Sequence, residues 1–203
     1  MATFGAVNSV GDSIVTLLRN RRDLAAAEGK LAPVPATTAV VHLSMSSLAA
    51  GTEPTTGMTL SCYRIALSDH PEPRHAGRGA SGGTTIAIEL HYLLASWAST
   101  PIEEQSILAW AMLELASYPV LDRSLLLGDS WSRDETVTLI HDPIDDDALF
   151  RLWDGLQHKY RLSTVFRARV IQVGYGPGEA LPPVVASRIG FTDADSLVDT
   201  TAG

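Results

Sequence analysis

Phe4, Val7, Val10, Ile14, Leu17, Leu18 and Leu24 recur every three or four residues, which predicts an amphipathic helix of about six turns at the start of the chain. Arg19, Arg21 and Arg22 fall in its later turns, where cations complement the helix dipole. From 31 to 57 the period is broken by Pro33, Pro35 and Pro54, leaving room for one short strand around Ala39–Leu43. The period then drops to two. Met58, Leu60, Cys62 and, with them, Arg64 alternate with Thr59, Ser61, Tyr63 and Ile65, which predicts a strand. Residues 68–83 are rich in Pro, Gly and charge and read as a loop. A second strand follows from Thr84 to Trp97. Within it, "IELHYLLASWA" places Ile88, Leu90, Tyr92 and Leu94 on one face and Glu89 and His91 on the other.

Pro101 suits the first turn of a helix, with Thr100 as N-cap and Glu103 as its capping-box partner. Ile107, Leu108, Ala111, Met112 and Leu115 form its apolar stripe, and Pro119 ends it. Thr136–His141 has strand character. "DDDALFRLWDGLQHKY" predicts a short helix with Asp145, Asp146 and Asp147 at its positive end. "RLSTVFRARVIQV" alternates again, with Arg167 and Arg169 on one face. After Gly174 turn signals surround one candidate strand at Val184–Ile189, and the last dozen residues read as fraying. Strands in close succession with few crossover helices predict an α+β fold. We expect a single domain over 1–175, with a mixed or antiparallel sheet of four to five strands packed on two to three helices. Strands 58–67 and 84–97 would pair as a hairpin, and 176–203 would form a partly flexible extension.

Composition narrows the classes. The 203 residues are 45% hydrophobic and 19% charged, the profile of an ordinary globular chain. Net charge is −8, and the excess acid lies wholly in the second half, which argues against a nucleic-acid footprint there. Cys62 is the single cysteine, so no disulfide forms within the chain and thiolate-rich zinc sites are excluded. The arginines of the N-terminal segment follow its apolar part, the reverse of a secretory signal. No run of 18 apolar residues occurs, so no membrane-spanning helix is expected.

Glu89 beside His91 admits a metal site or a proton-transfer pair, and also the wetter face of a sheet. No HExxH or HxH pattern accompanies it, and His42, His70, His75, His141 and His158 are scattered. "HAGRGASGG" lacks both the Lys-Ser/Thr of a phosphate loop and the elbow of a nucleophilic serine, and reads as a connector. Asp145–Asp147 lack calcium-loop spacing. No cofactor is expected. Arg167 and Arg169 suit either a partner surface or a solvated edge. Trp153, beside Leu149, Phe150 and Leu156, reads as core, with an interface anchor as the rival reading.

Four ordered segments, "IELHYLLASWA", "SYPVL", "RLWDGLQHKYRLS" and "FRARVIQV", together resemble the cap or tail-terminator family of contractile injection systems, of the Photorhabdus virulence cassette and antifeeding-prophage type. The resemblance covers residues 4–173, most specifically 86–121 and 149–173. Regions 31–57 and 68–83 are individual to this chain, and some relatives carry a further C-terminal domain.

The resemblance implies structural work and no enzymatic activity. Head-to-tail polymers such as tube and sheath grow until something occupies their last open surface. A ring of this chain, six-fold like the layers below it, would close that end against terminal tube and sheath subunits and anchor one to the other. Strand addition at a free sheet edge is one route of contact. The implied setting is assembly in the cytoplasm as a component of the particle, without membrane insertion. Arg151, Trp153, Tyr160 and Arg161 flank the helix-to-strand unit and, with Arg167 and Arg169, are the candidate partner contacts, each with local packing as its rival. The alternatives are an adaptor to a membrane or cargo-loading factor, a small enzyme using Glu89 and His91, and an unrelated binding module with an acidic surface.

Overall fold

The structure, a computed structural model, describes residues 2–68 and 85–174. Its elements are α1 (Gly5–Ala27), β1 (Ala39–His42), α2 (Met45–Ala49), β2 (Gly57–Leu67), β3 (Thr85–Trp97), α3 (Pro101–Ser117), β4 (Val120–Leu121), β5 (Val137–His141), α4 (Asp146–Gly155) and β6 (Ser163–Gly174). The strands make one six-stranded sheet in the order β1-β2-β3-β6-β5-β4. β1 runs parallel to β2 and every other pair is antiparallel, so the sheet is mixed and the fold is α+β. The β2–β3 hairpin is as expected. The candidate strand at Val184–Ile189 and the extension at 176–203 lie outside the described residues.

The alternation of β3 divides the core in two. Ile88, Leu90, Tyr92 and Leu94 join one cluster with Val10, Ile14 and Leu18 of α1 and Ile107, Ala111 and Leu115 of α3. Leu93, Ala95 and Trp97 point to the opposite face and join a second cluster with Leu48 of α2 and Leu149, Trp153 and Leu156 around α4. Burial of each such large side chain contributes about 1.5–3 kcal/mol. The second cluster occupies only one end of its face, and the other end carries Glu89 and His91, both buried.

Two register shifts correct the simple alternation. On β2 a bulge falls between Cys62 and Arg64, so that Cys62 pairs with Tyr92 but Arg64 pairs with His91. Paired residues share a face, so Arg64 belongs with His91 and not with Met58 and Leu60 as the period predicts. On β6, Arg169 and Val170 together oppose Glu89, because Ala168 pairs with Leu90 and Ile171 with Ile88.

Two elements exceed the expectation. α2 is a single turn whose N-cap Ser44 accepts a hydrogen bond from the Ser47 N–H at 3.0 Å. β4 is two residues long and immediately follows Pro119. α4 is shorter than its sequence pattern: it stops at Gly155, and Gln157 takes a left-handed φ of 53°. α1 continues to Ala27, so its arginines precede the last turn. They serve other groups. Arg19 Nε donates to the Val40 carbonyl at 2.9 Å and Arg22 to the Thr38 carbonyl at 2.6 Å, while Arg21 Nε meets Glu114 at 2.8 Å. Thr100 caps α3 by accepting from the Glu103 N–H at 3.3 Å.

Candidate functional site

Glu89 sits on the central strand with its side chain almost fully buried, 7% exposed. The bulge on β6 gathers both strand arginines around it. Arg167 donates to Glu89 Oε2 at 3.2 Å, and Arg169 Nε lies 3.2 Å from Oε1. The Ser68 hydroxyl donates to Oε1 at 2.9 Å. Burial alone would raise the Glu89 carboxyl, but the hydrogen bonds from Ser68 and Arg167 and the two guanidinium charges outweigh it and hold the group below its ordinary range.

The network extends to the neighbouring strand. Asp142, just after β5, takes the second Arg167 nitrogen at 3.3 Å and lies 3.3 Å from His91 Nδ1. Tyr63, the bulged residue of β2, sets its ring edge-on to His91 at 5.9 Å. Two arginines and two carboxylates thus close a charge-balanced cluster across β3, β6 and the end of β5. Buried charges persist where partners of this kind compensate their desolvation.

This arrangement does not suit proton transfer. A general acid or base works best with a pKa near the operating pH and a free lone pair or proton. Both Glu89 oxygens are engaged by cationic or hydroxyl donors, which favours a permanently ionised carboxylate. Among the described residues no group of three or more His, Cys, Asp or Glu side chains is placed to hold a metal ion. Cys62 is half-buried, and burial pushes its thiol up, away from reactive thiolate.

The remaining candidates gather at the other end of the same face. Trp153 is 1% exposed, donates from Nε1 to the Ser163 hydroxyl at 3.0 Å and meets Trp97 edge-on at 6.2 Å. The Arg161 guanidinium lies over the Trp97 ring at 5.2 Å, within cation–π range. His158 packs edge-on against Trp97 at 5.4 Å, with Nε2 3.1 Å from Glu53 Oε1. Tyr160 is half-exposed and packs at 5.1 Å, with its ring tilted, against Phe150, itself 50% exposed. Arg151 stands apart on the solvent side of α4, 3.8 Å from Asp147.

The structure therefore brings Arg167 and Arg169 together with Glu89, and Trp153, Tyr160 and Arg161 together around Trp97. Asp142, Ser68, Glu53 and His158 were not singled out from the sequence. The shared face of Arg167 and Arg169 was the available signal for a counter-charge on β3. Nothing local marks Asp142 or Glu53 as a partner.

Among the described residues no helix is long and apolar enough to cross a membrane. The family model described as the Pvc16 N-terminal domain matches residues 9–187. Among solved structures, the chain is similar to the PVC sheath/tube terminator of an extracellular contractile injection system in its extended state. That likeness has a TM-score of 0.55 at 17% identity and covers 98% of this chain and 66% of that one. It is also similar to the anti-feeding prophage cap, the AFP tube terminating cap, with a TM-score of 0.52 at 15% identity, covering 83% of this chain and 60% of that one. At these identities the likeness is one of fold, and the chain spans less than two thirds of the length of either structure. A comparison with curated protein sequences finds no match.

Proposed function

Because the chain belongs to the Pvc16 N-terminal domain family, we propose that it is a structural cap on the end of the tube and sheath of a phage-tail-like contractile injection particle. The observation that carries this reading is its fold likeness to a sheath/tube terminator and a tube-terminating cap. In this reading copies of the chain form a six-fold ring on the terminal tube and sheath subunits. The ring ends polymerisation by presenting a surface that templates no further layer. The unit over 1–175 acts as the cap domain, assembled in the cytoplasm and retained in the particle.

Two features favour a terminator over a catalyst. Glu89 is held in a closed ionic cluster that gives rigidity in place of proton transfer. On the outer side of β1, Arg19 also occupies the Val40 carbonyl and Arg22 the adjoining Thr38 carbonyl. Charged side chains on an edge discourage pairing with another strand. Arg151 and Tyr160, exposed beside Phe150, are the members of the predicted set available to a partner. Trp153 and Arg161 pack on Trp97, and Arg167 and Arg169 are engaged by Glu89.

Deletion of the gene in a particle-producing strain tests the reading. Particles of uncontrolled length or with unstable sheaths are expected, and particles of normal length and contractility overturn it. Cryo-microscopy of purified particles locates the subunit: density on the last tube and sheath ring is expected.

A further inference from the structure

At the end of the sheet where Ala95 pairs with Ser163, α4 turns one aromatic ring outward. Phe150 and Tyr160 are both half-exposed and pack against each other. Tyr160 also meets the buried Trp153 edge-on at 6.3 Å, so the exposed pair stands on a fixed base. Two rings that leave half their surface in water above an anchored floor have the character of an interface centre.

The charges around this pair define what it would receive. Residues four apart are neighbours on a helix, so Asp146 and Asp154 flank Phe150 along one row of about 12 Å. Both are exposed. Asp147 already has Arg151 at 3.8 Å, whereas among the described residues neither Asp146 nor Asp154 forms an ion pair. Asp146 lies in the first turn and complements the helix dipole. Asp154 lies in the last turn, at the negative end, where a carboxylate is disfavoured. Nothing local compensates it, and a cation from outside would. From 145 to 160 four aspartates stand against Arg151 and Lys159, so the surface around the pair is net negative.

The same spacing is already filled elsewhere in the fold. Glu114 and Tyr118 are four residues apart at the end of α3, and Arg21 serves both of them. Its Nε lies 2.8 Å from Glu114 while its guanidinium stands over the Tyr118 ring at 5.7 Å. A planar guanidinium can lay its face on a ring and still donate to a carboxylate from its edge, which a compact, strongly hydrated ammonium does less well. Asp146–Phe150 and Phe150–Asp154 repeat the Glu114–Tyr118 spacing on an open surface. Among the described residues no guanidinium lies over Phe150 or Tyr160.

We infer that the Phe150–Tyr160 pair, between Asp146 and Asp154, receives an arginine-bearing segment of a partner protein. The guanidinium lies on the rings and pairs with the flanking carboxylates, as Arg21 does with Tyr118 and Glu114. The acidic surroundings steer a basic partner to this face, and salt weakens that attraction. The inference rests on the cap reading only for where the partner stands, which is the last ring of the particle.

The test titrates the full chain, followed by amide and aromatic NMR shifts, with the blocked peptide acetyl-Gly-Arg-Gly-Arg-Gly-amide. Shifts centred on Phe150, Asp154 and Tyr160 are expected, with smaller shifts at higher salt. Phe150→Leu, which removes the ring and keeps an apolar side chain, and Asp154→Asn are each expected to weaken binding by about threefold or more, the scale of an exposed cation–π contact or ion pair. The peptide with citrulline in place of arginine is expected not to bind, and the lysine peptide to bind more weakly. Shifts centred elsewhere, no shifts, equal binding of the citrulline or lysine peptide, or unchanged binding by either variant each overturn the inference. In a particle-producing strain, Asp146→Lys with Asp154→Lys is expected to lower the amount of the chain on purified particles, and an unchanged amount overturns the inference. Absence of the natural chain from particles is instead the failure of the cap reading, and the peptide titration then decides the inference by itself.

Discussion

The Arg167 guanidinium joins Glu89 to Asp142, donating to the first at 3.2 Å while its other terminal nitrogen lies 3.3 Å from the second. One side chain thus ties the central strand to the end of β5. Removing the carboxylate at its centre leaves Arg167 and Arg169 without their shared partner in a half-buried site. Glu89→Ala is expected to destabilise the fold by about 2–3 kcal/mol, the scale of hydrogen bonds to charged groups and of unpaired buried polar groups. Urea denaturation of the two proteins checks this.

The same cluster makes stability depend on acid. Glu89 is held below its ordinary value, so the folded chain binds its proton less readily than the unfolded chain. Its contribution is complete above the unfolded glutamate value of about 4.3 and is lost as pH falls through the lower folded value. The stability gap between the natural protein and Glu89→Gln is expected to be constant from neutrality to about pH 5 and to shrink below about pH 4. A series of denaturation midpoints against pH measures the gap.

Trp153 anchors the second core cluster through both its ring and its Nε1–H. Trp153→Ala removes the packing against Trp97 and the hydrogen bond to Ser163, and is expected to cost about 3–5 kcal/mol. Trp153→Phe keeps most of the ring contact and is expected to cost about 1–2 kcal/mol, much of it the missing donor. Thermal unfolding ranks the two variants.

Gly57 opens β2 directly opposite Ala39 of β1. A Cβ added there would collide with the carbonyl oxygen and carbon of Ala39, backbone atoms that a side-chain rotation cannot move aside. Gly57→Ala is expected to displace β1 and to cost about 1–3 kcal/mol, the range for overpacking. Loss of amide exchange protection at Ala39 and Leu43, whose N–H groups bond to Thr56 and Leu60, with the β3–β6 amides still protected, is the local signature.

Arg19 protects the β1 edge. Arg19→Ala frees the Val40 carbonyl at a cost of about 1 kcal/mol and opens the edge to pairing between molecules. Light scattering against concentration is expected to show more self-association than in the natural protein.

Long elements were legible because each repeats its own period. α1, α3, β2, β3 and β6 all lie close to where hydrophobic spacing and the Thr100–Pro101 cap place them. α2 was not, although Ser44 before it and Gly51 after it, at a φ of 72°, are ordinary start and stop signals. One turn holds too few residues to display a period. β4 is shorter still and exists only because β5 lies beside it.

By itself the sequence determined the α+β class, the two faces of β3, and the family likeness carried by "IELHYLLASWA", "SYPVL" and "RLWDGLQHKYRLS". Periodicity and capping are local properties, so they survive being read one segment at a time. Only the tertiary structure decided that Glu89 meets Arg167, Arg169 and Ser68, that His91 meets Asp142, and that Arg64 changes face. Those outcomes depend on register between distant segments, and a single bulged residue on β2 or β6 resets every pairing beyond it.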